Sequence, residues 1–307
     1  MDVLGDILRI LRLRGSVYFN ACFCTPWGMD MAESSRASFH IIVRGEAWLK
    51  MASASESIKL QAGDIVLFPS SAPHSIRDSI DSKCLPGEQV VTAYQAKKPL
   101  FSGDQLGDSS PEVNIVCGYV EFDRAFPHPF LSNLPELIHI DAQLRSRFYW
   151  LDSVIRQIVT ESEEQQPGSD VLIDRFTEIL FIQVIRSYTQ SGGIQQSYFS
   201  ALHDKQLSTA LSLMHNHPDK AWTVELLASE IGMSRSAFYS RFNDYIGMPP
   251  MKYLFEWRML QAKQQIQDSH KPLVIVAEEV GYHSDSAFQK AFKRFYHFTP
   301  ASLRKLK

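Results

Sequence analysis

Three cysteines and two histidines carry the reactive chemistry of this sequence: Cys22 and Cys24 in SVYFNACFC, His40 in SFHIIVRG, His74 after GDIVLFPSSAP, and Cys117 in NIVCGY. Thiolate and imidazole together suit zinc or another borderline-soft metal, and a thiolate beside an imidazolium or a metal reacts readily with oxidants. Cys22, His40 and His74 are the candidate metal ligands. Cys22, Cys24 and Cys117 are the candidate redox thiols. Alternate residues of a strand share a face, so Cys22 and Cys24 stand together and the sequence does not separate them. Cys84 lies in DSKCLPGE, which reads as a less ordered segment. The competing reading makes the cysteines small buried hydrophobes and the histidines ordinary core or rim residues. Four cysteines in 307 residues do not form a disulfide scaffold, and in a reducing compartment they start as thiols.

These residues must be positioned by strands. From about residue 17 to 122, short apolar runs are cut by turn residues: SVYFNACF, SFHIIVRGEAWLKM, IKLQAGDIVLFP, QVVTAYQA and NIVCGYVEF. This is the pattern of an all-β unit. KKPLFSGDQLGDSSP, between Lys97 and Pro111, reads as a loop. After Pro135 the period changes. FYWLDSVIRQIVT and VLIDRFTEILFIQVIRSYTQ place apolar residues three and four apart, which predicts two amphipathic helices. Their apolar faces predict either a dimer contact or packing within the domain. SGGIQQS breaks the pattern, and the rest is helical.

The helical end contains an internal repeat. Ile231-Gly232-Met233-Ser234-Arg235-Ser236-Ala237-Phe238, with Phe242 four residues on, recurs as Val280-Gly281-Tyr282-His283-Ser284-Asp285-Ser286-Ala287-Phe288, with Phe292 four residues on. Each copy has an apolar helix, a Gly for the tight turn and a Ser able to cap a second helix, which predicts helix-turn-helix twice. The paired phenylalanines mark the buried face of each second helix. The opposite faces then carry Arg235, Ser236, Tyr239, Ser240 and Asn243 in the first copy, and Asp285, Ser286, Gln289, Lys290 and Lys293 in the second. A major groove accepts one such helix. Asp285 would repel phosphate; it either accepts from a cytosine amine or serves its own helix. PPMKYLFEWRMLQAKQQIQDS is the helix between the two copies.

TVELLASEIGMSRSAFYSRF, the helix containing RMLQAKQQI, and VIVAEEVGYHSDSAFQKAFKRFYHFTPASLRK resemble the DNA-binding domain of AraC/XylS-type transcription regulators over about 100 residues. The resemblance implies double-stranded promoter DNA as partner, with RNA polymerase and a second copy of the chain. Gly63-Asp64-Ile65-Val66-Leu67-Phe68-Pro69 and Arg44-Gly45-Glu46-Ala47-Trp48 are similar to cupin motifs. The His-x-His pair and Glu of metal-dependent cupin enzymes are missing upstream of Gly45, which argues against an enzyme. Cys22, His40, His74 and Cys117 look like those of a cupin-type subgroup that senses reactive chlorine or electrophiles. An organic effector bound in the barrel is the alternative.

The expected fold class is an α+β multidomain chain: a cupin-like β-barrel sensor over 1–140, a helical linker or dimerisation region over 141–195, and an all-α domain with two helix-turn-helix units over 203–307. Charge divides in the same way. Residues 203–307 carry 14 Lys and Arg against 10 Asp and Glu, and residues 1–202 carry 17 against 24. The basic run Lys290, Lys293, Arg294, Arg304, Lys305 and Lys307 suits a phosphate backbone. A DNA-bending protein would need wedge residues or a broad basic surface. No apolar run reaches membrane-spanning length and no signal peptide is evident, so a soluble cytoplasmic protein is expected.

Overall fold

The computed structural model describes residues 2–98, 101, 113–122, 128–145, 147–190 and 198–305. It divides into a β unit, Leu13–Asp123 with Leu134–Gly193, and a helical unit, Met1–Arg12 with Arg124–Asn133 and Ile194–Lys307. This redraws the expected boundaries. The first twelve residues and the segment around 128–133 belong with the helical unit, while the helices of 141–190 belong with the strands.

In the β unit, one five-stranded sheet runs β1 (Arg14–Phe23), β9 (Val113–Glu121), β3 (Ala37–Arg44), β6 (Ile65–Phe68) and β10 (Ile138–Ile140). The second runs β5 (Ser57–Gln61), β4 (Glu46–Met51), β7 (His74–Arg77), β2 (Gly28–Met31) and β8 (Leu85–Pro86). Phe19, Phe23, Ile42, Val66 and Ile115 of the first share one core with Met29, Leu49, Leu60 and Ile76 of the second. The interior is therefore filled by side chains.

QVVTAYQA is not a strand. It lies in helix α2 (Gly87–Gln95) and buries only Val90 beyond Gly87; its β-branched residues favour either state, and burial along one helical side decides. Cys84 is likewise held in place, half-buried, beside the β8 pairing with β2. Burial and the Asp30 carboxylate push its thiol up to about 11. The loop expected over 97–111 falls almost wholly outside the described residues, as does the break over SGGIQQS.

Gly63 turns the chain with a φ of +101°, and Asp64 then ties down the next layer. Its carboxylate accepts from the Gln61 N–H at 3.1 Å, the Ala142 N–H at 2.9 Å and His139 Nε2 at 3.1 Å. Burial raises the carboxyl, but these bonds outweigh it and hold Asp64 below its ordinary value. Helix α4 (Ala142–Arg145) starts at this anchor. Helices α5 (Tyr149–Glu164) and α6 (Ser169–Gln190) follow, α6 so close to β1 that a Cβ on Gly15 would lie 2.6 Å from Thr177 Cγ2.

The helical unit gathers α1 (Val3–Leu11), α3 (Pro129–Ser132), α7 (Tyr198–His203), α8 (Lys205–Asn216), α9 (Val224–Glu230), α10 (Arg235–Ile246), α11 (Pro250–Asp268), α12 (Leu273–Glu279), α13 (Asp285–Tyr296) and α14 (Pro300–Lys305). Helix α1 buries Val3, Ile7 and Leu11 and packs on α8 and α11. His215 of α8 stacks on Trp257 with ring centroids 3.5 Å apart and meets the Tyr253 hydroxyl at 2.8 Å. Burial holds His215 below its ordinary pKa against the opposing pull of Asp6 in α1.

Asp64→Ala should cost about 2–3 kcal/mol, because three donors lose an ionised acceptor in a half-closed site. Exposed Glu56→Ala should stay within about 0.5 kcal/mol. Urea midpoints at unchanged m-value measure both.

Candidate sensor site and nucleic-acid interface

Phe19, Ala21 and Phe23 of β1 are buried. With a period of two, the intervening Cys22 must face away from the core. It is exposed, and the Asn114 Nδ2 donates to its sulfur at 3.3 Å. Cys24, just beyond the strand, is partly covered. The expected meeting of Cys22 with His40 and His74 therefore does not occur.

The thiol that meets the histidines is Cys117. On β9 it registers between Phe19 of β1 and His40 of β3. Its sulfur lies 2.9 Å from His40 Nδ1, and His40 Nε2 lies 2.8 Å from His74 Nε2. His74 Nδ1 reaches the Ala72 carbonyl at 2.8 Å. The meeting of His40 with His74 is as expected, whereas the place of Cys117 beside them depends on the β9 register, of which sequence spacing gives no sign. Phe68 stacks on His74 with centroids 3.6 Å apart and sets its plane.

One arrangement of protons satisfies every member. A carbonyl only accepts, so His74 Nδ1–H donates to Ala72 and leaves Nε2 as an acceptor. His40 Nε2–H must then donate to His74, which leaves His40 Nδ1 to accept from the Cys117 S–H. The electrostatics agree with this neutral chain. Burial pushes the Cys117 thiol well up. Burial and then the nearby His74 hold His40 well below its ordinary value. Burial lowers His74 to about 4 against the Ala72 bond. A proton can pass from sulfur to His40 Nδ1 without breaking a hydrogen bond, but the resulting ion pair would be buried.

Metal binding needs convergent donors, and these three lie in a line. Among the described residues, no group of three His, Cys, Asp or Glu side chains is placed to hold a metal ion. The zinc set expected of Cys22, His40 and His74 is not assembled: Cys22 faces away from the core, and the two imidazoles bond to each other.

In the helical unit the repeat becomes two pairs of helices, α9 with α10 and α12 with α13. Gly232 and Gly281 turn at φ of +67° and +82°. Ser234 caps α10 by accepting from the Ala237 N–H at 3.3 Å, and Ser284 caps α13 through the Ala287 N–H at 3.4 Å. Phe238, Phe242 and Ile246 are buried on α10, as are Phe288, Phe292 and Tyr296 on α13. Arg235, Ser236, Tyr239, Ser240 and Asn243 are exposed on α10, and Asp285, Ser286, Gln289, Lys290 and Lys293 on α13.

Asp285 is engaged within its own helix, where its carboxylate accepts from the Gln289 amide at 2.7 Å and sets its direction. Arg235 pairs with Glu225 at 2.5 Å. The basic run divides: Lys290, Lys293 and Arg294 are exposed, Arg304 donates to the Lys271 carbonyl, and Lys307 lies outside the described residues. No helix among the described residues is long and apolar enough to cross a membrane.

A cupin family model matches residues 2–190, and a helix-turn-helix domain model matches residues 227–306. The HTH-type transcriptional regulator AlkR of Acinetobacter baylyi is 30% identical over 306 residues, 99% of each chain. An uncharacterized HTH-type transcriptional regulator of Haemophilus influenzae is 28% identical over 99% of each chain. The RCS-specific HTH-type transcriptional activator RclR of Escherichia coli is 28% identical over 99% of this chain and 97% of its own.

Burial of the relay depresses both histidines in the folded state. The stability it gives is complete above the ordinary histidine pKa of about 6.5 and is lost as pH falls from there toward about 4. Urea unfolding at a series of pH values should show this loss, with a slope of up to about 1.4 kcal/mol per pH unit for each proton taken up. His74→Gln should flatten the slope, isolating the relay from the buried histidines of the helical unit.

Proposed function

The chain belongs to the cupin-bearing, AraC-type family of DNA-binding transcription regulators, and from that membership we propose that it reads promoter DNA with two helices and senses an oxidant through its thiols. In this reading the two sheets are the halves of a cupin-like barrel. The two helix pairs are helix-turn-helix units, with α10 and α13 entering major grooves. The observation that carries it is the pair of Ser-capped helices, each burying its aromatic side and exposing polar and charged side chains on the other. Ser236, Tyr239 and Gln289 read base edges; Lys290 and Lys293 meet phosphates. Asp285 aims Gln289.

The oxidant is reactive chlorine or another small electrophile, and the first thiol to meet it is Cys22. Exposure supports this choice over Cys117, which has no route for a solvent-borne oxidant at 1% accessibility. The Cys22 thiolate attacks the chlorine of hypochlorous acid, forming an S–Cl bond and releasing hydroxide. Water then displaces chloride to give a sulfenic acid and a proton. The Asn114 amide is placed to donate to the sulfur throughout. Homodimerisation fits the exposed apolar residues of α5 and α6, namely Tyr149, Val171, Leu172 and Ile179. RNA polymerase is the machinery such a regulator addresses.

In a binding-site selection, Ser236→Ala, Tyr239→Ala or Gln289→Ala should relax sequence preference at one position each and cost about 1–3 kcal/mol at the preferred site. Lys293→Ala should weaken all sequences alike and reduce the salt slope by about one. Unaltered preference in all three alanine variants would overturn the assignment.

After hypochlorous acid treatment, intact-protein mass spectrometry should find one added oxygen on wild type. Cys22→Ser should lose the response of DNA binding. A normal response in that variant would end the Cys22 reading.

A further inference from the structure

On the side of β1 turned away from the core of the β unit, a cavity of about 400 Å³ opens. It lies between β1, α2 and the turn from α5 to α6, and Tyr18, Asn20, Tyr94, Glu161, Gln165 and Asp170 are among its lining residues. The turn is shaped by residues in the left-handed region, Gln165 at φ +48° and Gly168 at φ +93°. It is closed by the Ser169 hydroxyl donating to Glu161 at 2.6 Å. The Tyr94 hydroxyl donates to the Asn20 carbonyl at 2.8 Å, which fixes one aromatic wall.

The lining is one-sided in charge and in hydrogen bonding. It contains two carboxylates, Glu161 and Asp170, and no Lys or Arg among its described residues. Neither carboxylate has a cationic partner in the described structure. Tyrosine rings attract organic cations through their faces.

We infer that this cavity is a binding site for a small organic cation with two or more N–H donors, of the diamine or polyamine class. Carboxylates take the ammonium charges, and the tyrosines cover the methylene chain. The site rests on the regulator reading only in that its ligand would be an effector; binding itself does not depend on thiol chemistry.

Titration calorimetry of the full chain with putrescine and with spermidine tests it, using 1,4-butanediol and sodium chloride of matched ionic strength as controls. The expected result is saturable one-site binding of the amines, absent for the diol, and weakened by about tenfold or more in Glu161→Gln, where a charge-assisted bond is lost. Exposed Asp170→Asn provides the same readout should Glu161→Gln fail to fold. No saturable binding, equal binding of the diol, or unchanged affinity in Asp170→Asn and Glu161→Gln would overturn the proposal. DNA affinity and thiol oxidation are not readouts, so the outcome leaves the oxidant reading standing or falling on its own test.

Discussion

A strand has two faces, and the burial of Phe19, Ala21 and Phe23 decides what β1 shows on the other. Each fully buried aromatic side chain gains on the order of 2–3 kcal/mol from leaving water. A slip by one residue would expose all three. Their burial sends Asn20 and Cys22 outward together. Cys22 reaches solvent, Asn20 lines the cavity beneath the α5–α6 turn, and the Tyr94 hydroxyl of α2 donates to the Asn20 carbonyl. The outward face of one edge strand thus carries both Cys22 and one wall of the cavity.

The inward side obeys a different constraint. Cys117, His40 and His74 are polar groups in a dry interior, and each must find a partner or cost stability. They do so in series, ending on a backbone carbonyl that accepts and cannot donate. That terminus fixes both tautomers and keeps the thiol protonated. The result is a satisfied polar strut between two sheets, with its hydrogen-bonding groups spent on one another.

Much of this was legible in the sequence. Alternating apolar runs gave most strands of the β unit, the three- and four-residue period gave α5 and α6, and the repeat with its Gly, Ser and Phe spacing located α9, α10, α12 and α13 with their exposed faces. Helix capping and turn geometry are local, so the sequence states them directly. The ranking of Cys22 against Cys117 was not legible, because it turns on which set of alternate residues is buried and on the β9 register. Nor was the allegiance of α1: nine residues with Val3, Ile7 and Leu11 on one side announce an amphipathic helix, but not which core will cover it.

That allegiance bears on how the cupin and helix-turn-helix parts are connected along the chain. The chain leaves the helical unit at Arg12 and enters β1 at Arg14; it leaves β9 at Glu121 and returns to the helical unit before Pro129. Arg14 and Glu121 are register partners across β1 and β9. Two covalent connections therefore issue from one end of one strand pair, the pair that carries Cys22 and Cys117. The buried face of α1 and the ring of His128 are packed into the helical unit, His128 against Tyr198, Tyr253 and Trp257. Both segments that flank the strand pair therefore contribute side chains to the helical unit's own core. A coupling free energy between sites requires an element that both sites bias, and the β1–β9 pair is continuous with two of the connections between the units.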